Sequence, residues 1–289
     1  MFNKIAIIGV GLIGGSIGLA AKKKKLTSKV IGIGRSELSL KKALKKKAVD
    51  EISLDKSKVK DADLVIIATP VGKIVPLVKE LIPYLKKGTI ITDVGSTKKE
   101  IMDDIHKFLP QGINFIGAHP LAGSEKNGVI FANKDLFEKS ICFLIPYNNQ
   151  NATKPFKKLK SFWGKLGANT IIISAEEHDF LMAGISHLPH IIAVALVNSM
   201  SGVKWRKKDI TEFAGQGWKD TTRISGGLPE VWFDILSSNR SNLLIFMEKF
   251  NKELERIRKS LEESDFQKLK RTLKQAANKQ RPKTKDFKI

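Results

Sequence analysis

From Ile5 to Ile173 the chain alternates short apolar runs with stretches in which apolar residues recur at helical spacing. Ile5-Ala6-Ile7-Ile8, Val30-Ile31-Gly32-Ile33, Leu64-Val65-Ile66-Ile67-Ala68 and Thr89-Ile90-Ile91-Thr92 read as strands. They are apolar almost throughout, as suits strands covered on both faces of a parallel sheet. Further strands are expected at Asn114-Phe115-Ile116-Gly117, Cys142-Phe143-Leu144-Ile145 and Thr170-Ile171-Ile172-Ile173. Helical spacing falls between them at residues 11–24, 37–47, 74–85 and 98–109. Strand and helix in turn predict a doubly wound, Rossmann-type α/β domain with a parallel sheet.

After Ser174 the pattern changes. Residues 175–200, 206–224, 231–260 and 264–279 carry helical periodicity, and no strand pattern stands out among them. The expected organisation is an α/β domain over residues 1–174 and an all-α domain over 175–289. The tail from 281 to 289 is charged and expected to fray. A small helical domain of this kind buries its apolar faces by pairing with a second copy, so a homodimer through this domain is expected.

Charge changes this picture little. The 289 residues carry a formal net charge of +22, with lysine runs at 22–25, 41–47 and 157–160. These runs lie on predicted helices with apolar opposite faces, and no zinc-finger spacing or aromatic RNA-binding pair accompanies them. A solvated face is the reading, and nucleic acid is not an expected partner. The longest apolar run, Ile191 to Val197, is too short to cross a bilayer. A strand pattern begins within a few residues of Met1, which leaves no signal-peptide pattern there and predicts a cytoplasmic protein with no membrane partner. The single cysteine, Cys142, has no internal disulfide partner and reads as a buried strand residue.

The chemistry begins at Gly9-Val10-Gly11-Leu12-Ile13-Gly14, directly after the first strand and opening the first helix. That context makes the glycine pattern a dinucleotide fingerprint. Gly9 permits the tight turn, Gly11 lets the backbone approach a pyrophosphate, and Gly14 allows close packing of helix on strand, with Leu12 and Ile13 at the positive helix end. The second strand leads into Gly34-Arg35-Ser36, where an NAD site would carry an acid for the ribose hydroxyls. Arg35 and Ser36 suit a 2′-phosphate instead, so NADP is the expected cofactor. Glu37 keeps NAD open, and a helix cap is the alternative reading of Ser36. Thr69-Pro70 follows a strand and would lie beside the ribose or nicotinamide, though the same residues could form a plain turn.

Four segments then carry a family resemblance: Asp93-Val94-Gly95-Ser96-Thr97-Lys98, His119-Pro120-Leu121-Ala122-Gly123-Ser124-Glu125-Lys126-Asn127-Gly128, Ser186-His187-Leu188-Pro189-His190 and Asp220-Thr221-Thr222-Arg223-Ile224. With the glycine loop, the chain resembles the prephenate/arogenate (cyclohexadienyl) dehydrogenase family over nearly its full length. The resemblance implies oxidative decarboxylation of prephenate or arogenate in tyrosine synthesis, with hydride transfer to NADP or NAD. It gives His119 the role of base toward the ring hydroxyl and Ser96 that of its hydrogen-bonding neighbour near nicotinamide. Arg223 is expected to bind a substrate carboxylate, since a guanidinium fork matches one with two bonds. By the same resemblance His190 faces substrate, and Ser124 and Glu125 close over it. Asp220 and Trp232 read equally well as pocket or structural residues. His187 and His190, at i and i+3, have metal-ligand spacing, but no third ligand is evident and no metal is expected.

Two other readings remain. A 3-hydroxyacid dehydrogenase would share the two-domain plan, but those enzymes place the base in the helical domain. A nucleotide sensor without turnover would have no use for His119 and Arg223. A histidine rather than an acid at position 190 favours prephenate, because a carboxylate would select the ammonium group of arogenate. Neither a chorismate mutase region nor an ACT-type βαββαβ pattern is expected within these residues.

Overall fold

The computed structural model describes residues 1–123, 126–148 and 150–280. The chain forms two compact units, Met1–Arg240 and Ser241–Ile289.

The first unit is built on an eight-stranded sheet: β1 (Phe2–Ile8), β2 (Thr27–Ile33), β3 (Glu51–Ser53), β4 (Leu64–Ile67), β5 (Ile90–Asp93), β6 (Asn114–Pro120), β7 (Ile141–Ile145) and β8 (Asn169–Ile172). Their spatial order is β3-β2-β1-β4-β5-β6-β7-β8. β1 to β6 are parallel; β7 pairs antiparallel with β6, and β8 parallel with β7. The expected doubly wound architecture is therefore present, with two reversed strands added at one edge. Apolar runs serve both faces. Ile5 and Ile7 of β1 join one buried cluster, and Ala6 and Ile8 join the other.

Five helices flank the sheet: α1 (Leu12–Lys23), α2 (Glu37–Lys45), α3 (Val71–Leu81), α4 (Lys99–Phe108) and α5 (Lys154–Lys165). The face carrying Ile5 packs on Ile17, Ala20 and Ala21 of α1 and Phe156, Leu159 and Trp163 of α5. The opposite face packs on Ile74, Val78 and Leu81 of α3 and Ile101 and Ile105 of α4. The short edge strand β3 escaped the sequence reading because Glu51-Ile52-Ser53 has neither an apolar run nor enough length for an alternation to register.

Beyond Ser174 the first unit continues through α6 (Ala175–Met182), a π-helical segment (Ala183–His187), α7 (Leu188–Met200), α8 (Gln216–Thr222) and α9 (Pro229–Ser238). Ser174 starts α6 with a capping box: its hydroxyl accepts from Glu177 N–H, and the Glu177 carboxylate accepts from Ser174 N–H. The helix expected over 206–224 is corrected. Lys204–Trp205 and Lys208–Asp209 form a two-stranded hairpin, because Arg206 and Lys207 both adopt positive φ, the geometry of a tight hairpin turn. A 3₁₀ turn at Ile210–Phe213 follows before α8 begins. The helix expected over 231–260 breaks at Asn239, whose φ of −117° leaves the helical region. Residues 175–200 form one long helical stretch, apolar and long enough by composition to cross a membrane, with only 28% of its apolar window buried in this chain. The second unit consists of α10 (Arg240–Glu262) and α11 (Phe266–Gln280). The 281–289 tail lies outside the described residues.

Candidate active site

β1 is the strand at which the sheet order reverses, with β2 on one side and β4 on the other. In open α/β sheets the crevice at the carboxyl ends of such strands receives ligand. Gly9 follows β1 with φ +91°, and a Cβ there would lie 2.5 Å from the Ala68 carbonyl oxygen. At Gly14 a Cβ would meet the Gly9 carbonyl oxygen at 2.3 Å, so helix and turn are in backbone contact. At Gly11, by contrast, a Cβ would find nothing within 4 Å. The N-terminus of α1 has no side-chain cap and no acid in its first turn. Its first amides, including those of Leu12, Ile13 and Gly14, face the open space beside Gly11 with the positive helix end behind them. Across the crevice, Thr69 Oγ1 is buried without a hydrogen-bond partner. An open backbone cradle, an uncapped helix N-terminus and an orphaned hydroxyl together fit a dinucleotide.

At the end of β2, Arg35 is exposed. Ser36 caps α2, its hydroxyl accepting from Ser39 N–H at 3.3 Å. Glu37 is occupied by Lys41 at 2.9 Å, which lowers its pKa.

His119 lies within β6 rather than after it, because the strand runs on to Pro120 against β7. β4, β5 and β6 are adjacent in the sheet; Thr69 and Ser96 follow the first two, and His119 lies near the end of the third. The Pro120-Leu121-Ala122-Gly123 turn leads back toward the glycine loop, so a Cβ on Gly123 would sit 3.5 Å from Ile13. Ser124 and Glu125 lie outside the described residues.

The ring of His119 is only partly exposed. Its Nδ1 lies 2.9 Å from His178 Nε2. His178 Nδ1 in turn lies 2.7 Å from Asp179 Oδ1. The same carboxylate accepts the main-chain N–H of Lys98 at 2.8 Å and of Lys99 at 2.9 Å, capping α4. Burial holds His119 well below the ordinary imidazole range, and repulsion from His178 once that ring is protonated and from the Lys98 ammonium adds to the effect. Burial lowers His178 as well, against the opposing pull of Asp179. The imidazole is therefore neutral at neutral pH, the form that can accept a proton. Ser96 makes no hydrogen bond to His119; the partner is His178. Nor does Ser96 cap α4, since Asp179 does so from α6.

The remaining candidates come from the helical segments. His178 and His187 stand two and a half turns apart at about 3.6 residues per turn, which puts them on opposite faces of an uninterrupted α-helix. The intervening π segment alters that register, and Asn239 reaches both neighbourhoods. Its Nδ2 donates to the Asp179 carbonyl oxygen at 2.6 Å and lies 3.1 Å from His187 Nδ1. Burial pushes His187 down to about 4. His190 is buried, stacked on Trp232 with ring centroids 3.4 Å apart, and held by the main chain at Ile224. His187 Nε2 and His190 Nδ1 are buried without partners. Arg223 lies exposed in the 3₁₀ turn Arg223–Gly226, one residue from Ile224. Asp220 is occupied by Gln216 at 2.8 Å. Helix α9 is tied over the strand ends by Gly72 N–H to Asp234 Oδ2 (2.9 Å) and by Thr97 Oγ1 to Ser238 Oγ (2.8 Å). Among the described residues no group of three metal-ligating side chains converges.

The sequence reading thus missed His178, Asp179 and Asn239, and it left Lys98 inside a motif without a role. The signal for the first pair was the titratable run Glu176-Glu177-His178-Asp179 at the start of a helix that continues into an apolar stretch.

Two family models match the chain. One, described as prephenate dehydrogenase, nucleotide-binding domain, covers residues 17–172; the other, described as prephenate dehydrogenase, dimerization domain, covers 174–275. The chain is 37% identical to a prephenate dehydrogenase of Bacillus subtilis over 96% of its own length and 75% of that relative. It is 32% identical to a cyclohexadienyl dehydrogenase of Zymomonas mobilis, over 92% of this chain and 90% of that one. A crystal structure of prephenate dehydrogenase from A. aeolicus, in complex with hydroxyphenyl propionate and NAD+, superposes with a TM-score of 0.90 at 30% identity, covering 96% of this chain and 97% of that one. Synechocystis arogenate dehydrogenase gives 0.79 at 29% identity, over 96% and 98% of the two chains.

Proposed function

The chain belongs to the prephenate dehydrogenase family, and on that premise we propose that it oxidatively decarboxylates prephenate with NADP in tyrosine synthesis. The observation that carries this reading is a neutral, partly exposed His119 on β6, two strands from the β4 end that bears the orphaned Thr69 hydroxyl. A nicotinamide held here would supply the acceptor for the hydride of ring C4. His119 takes the proton of the C4 hydroxyl as the hydride departs, and a proton returns to that oxygen once carbon dioxide has left and the ring is aromatic, the product being 4-hydroxyphenylpyruvate. Ser96, at the neighbouring strand end, faces the same reacting hydroxyl. Gly9, Gly11, Leu12, Ile13 and Gly14 hold the pyrophosphate, and Thr69 and Pro70 hold the ribose and ring edge.

Arg223 pairs with a substrate carboxylate through its guanidinium fork. His190, locked by Trp232 and by its hydrogen bond to the Ile224 main chain, faces the pyruvyl side chain. The choice of prephenate over arogenate rests on that imidazole: burial lowers it to the neutral form, and it offers no negative charge to an ammonium group. For the cofactor, Arg35 is exposed at the β2 end, and the nearby acid Glu37 is held by Lys41. NAD is the second cofactor, as Glu37 and the NAD+ in the A. aeolicus complex suggest.

The functional boundary lies at Ser174, where the matched family spans meet and the α6 capping box begins. A homodimer through the helical part is supported by the dimerization-domain match and by the exposed apolar side of residues 175–200. That stretch also carries the Asp179 carboxylate that caps α4, a role inside a protein core rather than in lipid, so we place the enzyme in the cytoplasm with no membrane or nucleic-acid partner.

The test is a two-by-two assay of prephenate or arogenate with NAD or NADP, following reduced nicotinamide. Turnover is expected to be fastest with prephenate and NADP. No turnover in any of the four mixtures would sink the reading.

A further inference from the structure

The Asp179 carboxylate does two things at once. Two main-chain amides, Lys98 N–H and Lys99 N–H, donate to it at the start of α4, and His178 Nδ1 approaches it at 2.7 Å. All three groups are on the buried side of the molecule, His178 with 0% and Asp179 with 1% exposure.

A carboxylate that receives two amide donors is an acceptor, so the proton between Asp179 and His178 sits on His178 Nδ1. Burial keeps His178 neutral, which leaves a lone pair on its Nε2. His119 Nδ1, 2.9 Å from that lone pair, must then carry a hydrogen. The only tautomer of neutral His119 that satisfies the chain has its free lone pair on Nε2. Were Asp179 unable to accept, His178 would protonate on Nε2 and donate to His119 Nδ1. His119 would then hold its hydrogen on Nε2 and present no lone pair to a substrate hydroxyl.

We propose that His178 and Asp179 are positioning residues that fix His119 in the Nδ1–H tautomer, so that Nε2 is the proton acceptor. The proposal rests on the reading of His119 as the base. The arrangement also stabilises the imidazolium that forms, because its Nδ1–H points into a chain ending on a carboxylate. Asn239 supports the device from behind: its donation to the Asp179 carbonyl and its contact with His187 hold this turn of α6 against the C-terminal end of α9.

Two measurements test this in the full-length protein, and the first does not depend on turnover. Nitrogen NMR of the histidine rings at pH 7.5 is expected to show His119 protonated on Nδ1 in the wild type. Protonation on Nε2 there overturns the proposal, whatever the variants do. The second is a kinetic cycle of Asp179→Asn, His178→Gln and the double variant, each checked for folding by thermal melting.

Asp179→Asn puts an amide donor beside His178 and forces the wrong tautomer; kcat is expected to fall by about 10³-fold with KM changed by less than about threefold. His178→Gln keeps a carbonyl that accepts from His119 Nδ1–H, so kcat falls by only about tenfold. In the His178→Gln background, adding Asp179→Asn is expected to cost less than about threefold, because no ring remains to flip. An equal loss in both backgrounds would mean that Asp179 acts only as the α4 cap. If the wild type turns over no cyclohexadienol, the functional reading fails while the tautomer measurement still decides the relay.

Discussion

The Lys98 ammonium and the Asp93 carboxylate form an ion pair in which neither side chain reaches solvent. Asp93 ends β5 and also accepts the main-chain N–H groups of Gly95 at 2.8 Å and Ala118 at 3.3 Å. One carboxylate thus ties the β5–α4 turn, which carries Ser96, to the strand that carries His119. Lys98→Met would leave Asp93 buried with its charge uncompensated. The expected cost is about 3–5 kcal/mol in urea denaturation, with part of it recovered on adding Asp93→Asn. A single-variant loss under about 1 kcal/mol would mean that water or another cation reaches Asp93.

His119→Asn keeps a polar group of similar size but removes the proton acceptor. Substrate and nucleotide binding should survive while kcat falls by about 10²–10⁴-fold. Retained turnover would remove His119 as the base and return the choice of base to the helical segments.

The direction of the His119 shift sets the pH dependence. Because burial and the nearby cationic groups lower it, the free enzyme keeps its base neutral below pH 6.5. The acid limb of kcat/KM is therefore expected to have its midpoint below 6.5, and a midpoint above 7 would contradict the burial of the ring. Stability follows the same sign. His187 is held near 4 in the fold and titrates near 6.5 when unfolded, so the unfolded chain binds the extra proton first. Its contribution is complete above pH 6.5 and is lost as pH falls toward 4, up to about 3 kcal/mol. His178 shifts in the same direction. Urea midpoints measured from pH 7.5 to 4.5 should decline throughout that window; a flat profile would show that these rings are already solvated.

Strands β1, β2, β4 and β5 were legible because each contains an apolar run, rich in β-branched residues, that is long enough to be covered on both faces. So was the glycine loop, whose three glycines each answer a separate backbone demand. The hairpin at Lys204–Asp209 was hidden, since its turn is made by Arg206 and Lys207, residues that ordinarily favour helix. The relay behind His119 was hidden for another reason. His178 and Asp179 lie 59 and 60 positions from His119, on a helix whose pattern shows no link to that strand. Their meaning depends on the Lys98 and Lys99 amides at the start of α4, which leave no mark in the residue pattern. Ser96 was placed in the right turn, but its expected hydrogen bond to His119 is taken by His178.

Gly11 and Gly14 offer a clean contrast. At Gly14 an added methyl collides with the Gly9 carbonyl, so Gly14→Ala must shift α1 or the turn and is expected to lower both Tm and nucleotide affinity. At Gly11 the methyl meets no protein atom and projects where a pyrophosphate would lie. Gly11→Ala should melt within a few degrees of the wild type yet bind dinucleotide at least about tenfold more weakly, about 1.4 kcal/mol. Equal affinity for Gly11→Ala and wild type by titration calorimetry would place the cofactor elsewhere.

Arg35 decides between the two cofactors. A 2′-phosphate beside its guanidinium gains a charge-assisted pair that a ribose hydroxyl does not, and the exposed position limits its strength through screening. Arg35→Ala is expected to weaken NADP by about tenfold to a hundredfold and to leave NAD within about threefold, with the NADP penalty shrinking as salt is raised. Ser36 has less influence, because its hydroxyl is already committed to the α2 cap. If wild-type enzyme prefers NAD by tenfold or more, about 1.4 kcal/mol, then Arg35 faces solvent and Glu37 has left Lys41 for the ribose. Glu37→Gln would then lower NAD affinity.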